Sequence, residues 1–310
     1  MPARRAQARP AIDAGDPAFR LFSAAALMAV LLYWPLAAWV PDWLPLVLLS
    51  LGVVFLGIPH GALDGLLLRN SGHWPRRHGL LGFHLSYLLL AFGVVVLWWW
   101  LPTVSLAAFL LISAIHFGGD FKPAPRSWQW LAGAWLLLLP IAFHTADVAG
   151  LFEMLSGNGG AWLAETLALP VAGLAVGGLI LAAALARFRP IFAIELVLLL
   201  VLAWLTPPLV YFAVYFCCLH SLRHFHRSWH QTPASRRRRL WQELIGYSLA
   251  TLVLGLAAFV WLLSGASLEQ RLVPLIFIGL AALTVPHMLI LAWASPPPVE
   301  ARQSHRYQDL

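Results

Sequence analysis

Four short stretches of this chain set histidine and aspartate inside apolar sequence: PHGALD at 59–64, HFGGD at 116–120, HSLRH at 220–224 and PHM at 286–288. Neutral imidazole is a good ligand for zinc, iron, copper and nickel. His220 and His224 are four residues apart, about one helical turn, so both rings can reach one ion. His60 and His116 are each followed four residues later by an aspartate, Asp64 and Asp120, which the same spacing puts on the face of its own histidine. A metal-bound imidazole usually passes its second N–H to a carboxylate, and these two aspartates are placed to receive it, from their own ring or a neighbour's. The cysteines, Cys217 and Cys218, are adjacent, so they form neither a spaced zinc knuckle nor a disulfide framework. An all-histidine donor set then suits zinc or a redox metal. His226 and His230 stand close behind HSLRH at the same spacing, so the residues alone leave a one-turn shift in the ligating pair open. No serine–histidine–aspartate or paired-glutamate arrangement accompanies them, and no catalytic group is expected beyond the metal site.

The elements carrying these residues are membrane spans. The chain has 310 residues, 61% hydrophobic and 11% charged, too little charge to cover a soluble core of this length. Ten apolar runs follow one another, at 20–40, 44–68, 79–101, 103–120, 128–146, 169–187, 191–206, 209–226, 241–264 and 272–294. The runs at 103–120 and 191–206 are short for a crossing. With the N-terminus inside and the runs alternating, 19 of the 20 Lys and Arg residues fall on the inner side, Arg223 and Arg236 to Arg239 among them, and only Arg271 falls outside. The long outer segment 147–168 has no Lys or Arg. The expected architecture is therefore all-α, a polytopic transmembrane helical bundle of about ten spans with both termini cytoplasmic. Residues 1–19 form a cytoplasmic N-terminal segment, 20–294 a single membrane-embedded catalytic domain and 295–310 a cytoplasmic tail. Arg4, Arg5 and Arg9 flank a retained first helix rather than a cleaved signal. The net charge of +7 reflects this topology and not a nucleic-acid partner. Arg236 to Arg239 read as an anchor to anionic membrane lipid. Trp43, Trp98 to Trp100, Trp128, Trp241 and Trp293 lie near run ends, where the amphipathic ring suits the headgroup zone.

A carboxylate at bilayer depth costs roughly 2.5–3.5 kcal/mol on insertion scales, and an imidazole there needs a partner. One such histidine is adequately read as a hydrogen-bonded core residue. Here four runs with the same outside-to-inside direction each carry histidine near the cytoplasmic end, and a shared depth argues for a shared site. Pro59 and Pro286 immediately precede His60 and His287; each frees a carbonyl and bends its helix. His84 reads as structural and His144 as interfacial; His73, His78, His230 and His305 read as solvated. The same residues would also serve a transporter or proton relay.

The four motifs, in this order over nearly the whole hydrophobic chain, resemble the Brp/Blh family of bacterial and archaeal β-carotene 15,15′-dioxygenases. The H-x3-H pair alone is shared with membrane desaturases, but the repeated H-x-x-H-H boxes of those enzymes are absent here. The resemblance implies a non-haem iron oxygenase of the cell membrane (a prokaryotic inner membrane) that cleaves the central double bond of β-carotene with O2 to give two all-trans-retinal. It assigns the Fe(2+) ligands to His60, His116, His220 and His224. His287 matches a further position and is open as a fifth ligand, a support to a ligating ring or pocket lining; Asp64 and Asp120 are open as further ligands or supports. The implied partners are a lipid-soluble carotenoid entering from the bilayer, O2, membrane lipid and a microbial rhodopsin that receives the retinal; the alternative under the same resemblance is a non-catalytic carotenoid-binding or opsin-assembly partner.

Overall fold

A computed structural model describes residues 16–70, 79–121, 125–261 and 267–294. The expected segments 1–19 and 295–310 lie mostly or wholly outside them, as do His73, His78 and His305. Among the described residues every regular element is helical. In chain order they are α1 (Pro17–Leu36), α2 (Leu44–Gly52), a π-helical stretch (Val53–Gly57), α3 (Ile58–Gly61), α4 (Asp64–Asn70), α5 (Gly79–Trp100), α6 (Pro102–Gly118), α7 (Arg126–Leu138), α8 (Thr145–Ser156), α9 (Asn158–Leu185), α10 (Pro190–Leu205), α11 (Pro208–Ala213), a second π-helical stretch (Val214–Ser221), α12 (Leu222–Gln231), α13 (Arg237–Trp261) and α14 (Leu268–Ala294). Proline does much of the punctuation. It opens α1, α2, α3, α6, α10 and α11 within the first turn, where its missing N–H has no helical partner to lose.

Among the described residues five helices are long and apolar enough to cross a membrane: Leu81–Trp100, Pro102–Phe121, Asn158–Leu185, Ala234–Trp261 and Leu268–Ala292. A sixth crossing follows if Arg126–Ala142 and Thr145–Ser156, bent by 107°, count as one. Pro17–Tyr33, Leu44–Gly57 and Pro190–Leu205 are shorter apolar helices. Among the described residues the ten expected runs are largely helical; five coincide with these long helices, including the run at 103–120 expected to be short for a crossing, and the rest are shorter, bent or interrupted by π-helical turns. The outer side of the molecule is greasy: Leu169 is 84% and Phe188 83% exposed, while Asp64, Asp120, Glu195, Arg223, His220 and His287 are all buried. That inversion of the water-soluble pattern suits lipid outside and a polar centre inside.

Segment 147–168 is itself helical: it holds most of α8 and the start of α9, split at Gly157, whose φ of 69° ends the first helix. Trp98 is not an interfacial ring: it is buried, and its indole N–H donates to the Leu155 carbonyl at 2.8 Å, while Trp99 and Trp100 remain exposed. The core itself depends on close helix approach. A Cβ on Gly118 would lie 2.2 Å from the Gln129 carbonyl oxygen, and one on Gly133 would lie 1.9 Å from that of Ala114. Glycine is therefore required at both positions for α6 and α7 to touch backbone to backbone.

Candidate metal centre

The four histidine-bearing segments converge. The ring of His116, near the end of α6, lies 4.7 Å centroid to centroid from His220 in the second π-helical stretch and 5.0 Å from His287 on α14. His224 on α12 is 5.4 Å from His287. His220 and His287 are buried, His116 and His224 partly buried. The side chain of His60 lies outside the described residues; its backbone is in α3.

The aspartates join the cluster differently from the spacing argument. Each helix stops between the histidine and its aspartate: α3 ends at Gly61 and α4 begins at Asp64, while α6 ends at Gly118 and Asp120 sits in a 3₁₀ turn, Gly119–Phe121. Asp120 and Asp64 accordingly pair with rings from other elements. His220 Nδ1 donates to Asp120 Oδ2 at 2.8 Å, and His287 Nδ1 donates to Asp64 Oδ1 at 2.5 Å. A tyrosine donates to each carboxylate in turn, Tyr215 to Asp120 at 2.9 Å and Tyr87 to Asp64 at 3.1 Å. Asp64, as the first residue of α4, also places its negative charge at a helix N-terminus.

These contacts fix the imidazoles chemically. A carboxylate only accepts, so the ring nitrogen facing it carries a proton, and in the neutral ring the opposite Nε2 is then the one with a lone pair. In His220 that Nε2 is 3.0 Å from Nε2 of His116. A hydrogen bond from His116 spans this distance; so do two nitrogens each ~2.1 Å from one ion at right angles, which are about 3.0 Å apart. Two buried carboxylates, Asp64 and Asp120, also stand beside these rings, and a divalent cation would offset negative charge there. The donor set therefore fits a first-row divalent metal. Among the described residues no three of these groups hold an ion by themselves, and His60 is the remaining sequence-expected donor. Aromatic rings wall the cluster: Phe117 meets His220 edge-on at 4.8 Å and Phe216 stacks on it at 5.9 Å.

Both π-helical stretches abut the site. The first runs directly into PHGALD, the second contains His220, and they pack against each other. Extra residues in a helical turn shift every following side chain around the axis, a common device at functional sites. Gly57 and Gly52 allow the contact, since a Cβ on either would lie 2.8 Å from Phe216 or Cys217.

Behind the second stretch sits an ion pair that sequence reasoning missed. Arg223 is buried and donates to both carboxylate oxygens of Glu195 on α10, at 2.9 and 2.7 Å, with a third contact of 3.4 Å to Asp16 at the N-cap of α1. Arg223, counted among the inner-side charges, is thus held in a buried ion pair. Its clue was Glu195, a carboxylate in the middle of an apolar run. Tyr87 and Tyr215 carried no such signal. Other polar residues have local roles. His84 pairs with Tyr247 at 2.8 Å, and His144 lies 3.5 Å from Asp147. Arg69 and Arg239 both bind Glu243, tying α4 to α13. His226 and His230 form an exposed pair, Nε2 to Nε2 at 3.1 Å, away from the cluster.

Fold and centre together define a class: a helical membrane protein whose interior holds histidines oriented by carboxylates. Sequence comparison narrows that class. The family pattern described as "Beta-carotene 15,15'-dioxygenase" matches residues 51–295, and the chain belongs to this family. It is 35% identical over 268 residues to the "Beta-carotene 15,15'-dioxygenase" of an uncultured marine bacterium, 66A03, covering 83% of this chain and 94% of that protein. It is 27% identical over 345 residues to the "Probable beta-carotene 15,15'-dioxygenase Blh" of Halobacterium salinarum, covering 94% of each. No solved structure matches the chain.

Proposed function

We propose that this protein cleaves the central 15,15′ double bond of β-carotene with O2, giving two all-trans-retinal, at an Fe(2+) held by His60, His116, His220 and His224. The observation that carries the reading is the cluster of His116, His220, His224 and His287 with Asp64 and Asp120, inside a chain of the β-carotene dioxygenase family. Bound ferrous iron supplies the one-electron chemistry that ground-state O2 needs to react with a closed-shell polyene. The chain's own residues do the rest. Asp120 and Tyr215 hold His220 in the tautomer that presents Nε2 to the cluster, and Asp64 and Tyr87 do the same for His287. Phe117 and Phe216 keep water from the rings. His116 and His224 keep part of their surface accessible, offering the side from which an apolar substrate arriving through the bilayer can approach.

The proposed setting is the cell membrane, with about ten crossings and both termini cytoplasmic. The five long helices, the bent pair and the three shorter apolar helices would supply nine of these crossings, and the π-interrupted segment 208–231 the tenth. The retinal product leaves into lipid and passes to a retinal-binding partner such as a microbial rhodopsin. Expression in a β-carotene-producing bacterium tests the reaction by colour: pigment bleaches as retinal appears by chromatography. Unchanged pigment with the protein verified in the membrane overturns it.

A further inference from the structure

We propose that His287 is itself a metal ligand, a fifth imidazole delivered to the centre by Asp64 and Tyr87; the inference rests on the metal-centre reading above. The structure builds the same three-residue chain twice, from different helices. Tyr215, Asp120 and His220 form one copy and Tyr87, Asp64 and His287 the other. Both chains run tyrosine hydroxyl to carboxylate to Nδ1, and both direct the opposite side of the imidazole toward the cluster. Their rings stand in similar relation to His116, at 4.7 Å and 75° for His220 and at 5.0 Å and 88° for His287. If His220 is a ligand, geometry gives no ground for treating His287 otherwise.

A role as mere lining does not account for the cost of this arrangement. Asp64 and His287 are buried among apolar helices, where an ionised carboxylate needs strong compensation. A leucine at 287 would line a carotenoid pocket without that expense. Asp64 takes Nδ1, so His287 presents its Nε2 edge to the cluster, the same edge that His220 presents. Tyr87 adds a mechanical tie: its hydroxyl lies 3.3 Å from the Leu283 carbonyl, one turn before His287, so α5 holds carboxylate and histidine helix in register. This assignment also gives the aspartate of PHGALD its task. Asp64 serves a ring 223 residues further on, not the histidine of its own motif.

Cobalt(II) is the probe, since its visible ligand-field bands weaken as coordination rises from four to five or six. Full-length protein in detergent is titrated with cobalt(II) as wild type, His220→Ala, His287→Ala and His287→Gln, the last two filling the site differently in case one fails to fold. For whichever His287 variant is monodisperse, the bands are expected to shift and gain intensity, cobalt affinity to fall at least ~10-fold, and added imidazole to restore the wild-type spectrum of His287→Ala. A folded His287 variant with the wild-type spectrum and affinity, alongside a His220→Ala protein that has lost both, overturns the fifth-ligand assignment and leaves the metal centre standing. A wild-type protein that takes up no cobalt, or a His220→Ala protein that binds it normally, overturns the underlying centre and this assignment with it.

Discussion

The helical segment 214–231 carries two histidine pairs with identical spacing and opposite fates. His220 and His224 enter the cluster; His226 and His230 face outward, with nitrogens 3.1 Å apart, almost the separation of His220 from His116. Neither residue type, spacing nor nitrogen distance separates them. Position around the axis does, since two residues beyond His224 is about 200° of helical rotation. Surroundings do the remainder: the inner pair has Asp120 behind one ring and phenylalanines around it, whereas the outer rings are exposed. A pair of imidazoles becomes a candidate metal centre when a buried carboxylate fixes its tautomer and further rings complete the set.

The contrast is sharpest in a matched substitution. His220→Ala is expected to abolish iron retention and retinal formation, while His226→Ala and His230→Ala stay within about twofold of wild type. Metal analysis and retinal chromatography on purified protein read both, and an outer-pair variant that lost iron would reverse the comparison. Next in size is the carboxylate behind the inner pair. Asp120→Asn keeps the shape but removes the charge, and should weaken iron affinity by roughly 10–100-fold; a chelator competition yielding wild-type affinity would mean the ring orients without it. The smallest effect is expected one step further out. Tyr215→Phe deletes a single hydrogen bond to Asp120, worth about 0.5–1.5 kcal/mol, and should lower iron affinity by tenfold or less.

Much of this centre was legible from residues alone because the bilayer makes polar residues costly, and cost draws attention to His116, His220, His224, His287, Asp64 and Asp120. The helical architecture followed from the same apolar runs. What escaped is what a linear code does not mark. A π-helical turn has no sequence signature of its own, so the rotation that brings His220 inward was invisible, and so were the breaks that hand Asp64 and Asp120 to distant rings. Tyr87 and Tyr215 look like any aromatic residue of a membrane helix until their hydroxyls are placed. Arg223 misled for a physical reason: six basic residues stand between 223 and 239, and an arginine paired with a glutamate 28 positions earlier reads, without coordinates, as one more cytoplasmic charge.

That arginine bears on biogenesis. Arg223 meets Glu195 and Asp16, and both carboxylates precede it in the chain. A growing polypeptide therefore presents the acidic partners to the membrane before the guanidinium arrives. A buried arginine needs such partners, and α10 and the segment after it, separated by a two-residue connection, carry Glu195 and Arg223 on consecutive helical segments. The chain order thus has each carboxylate in place before the arginine it binds, and that arginine precedes His224 by a single residue.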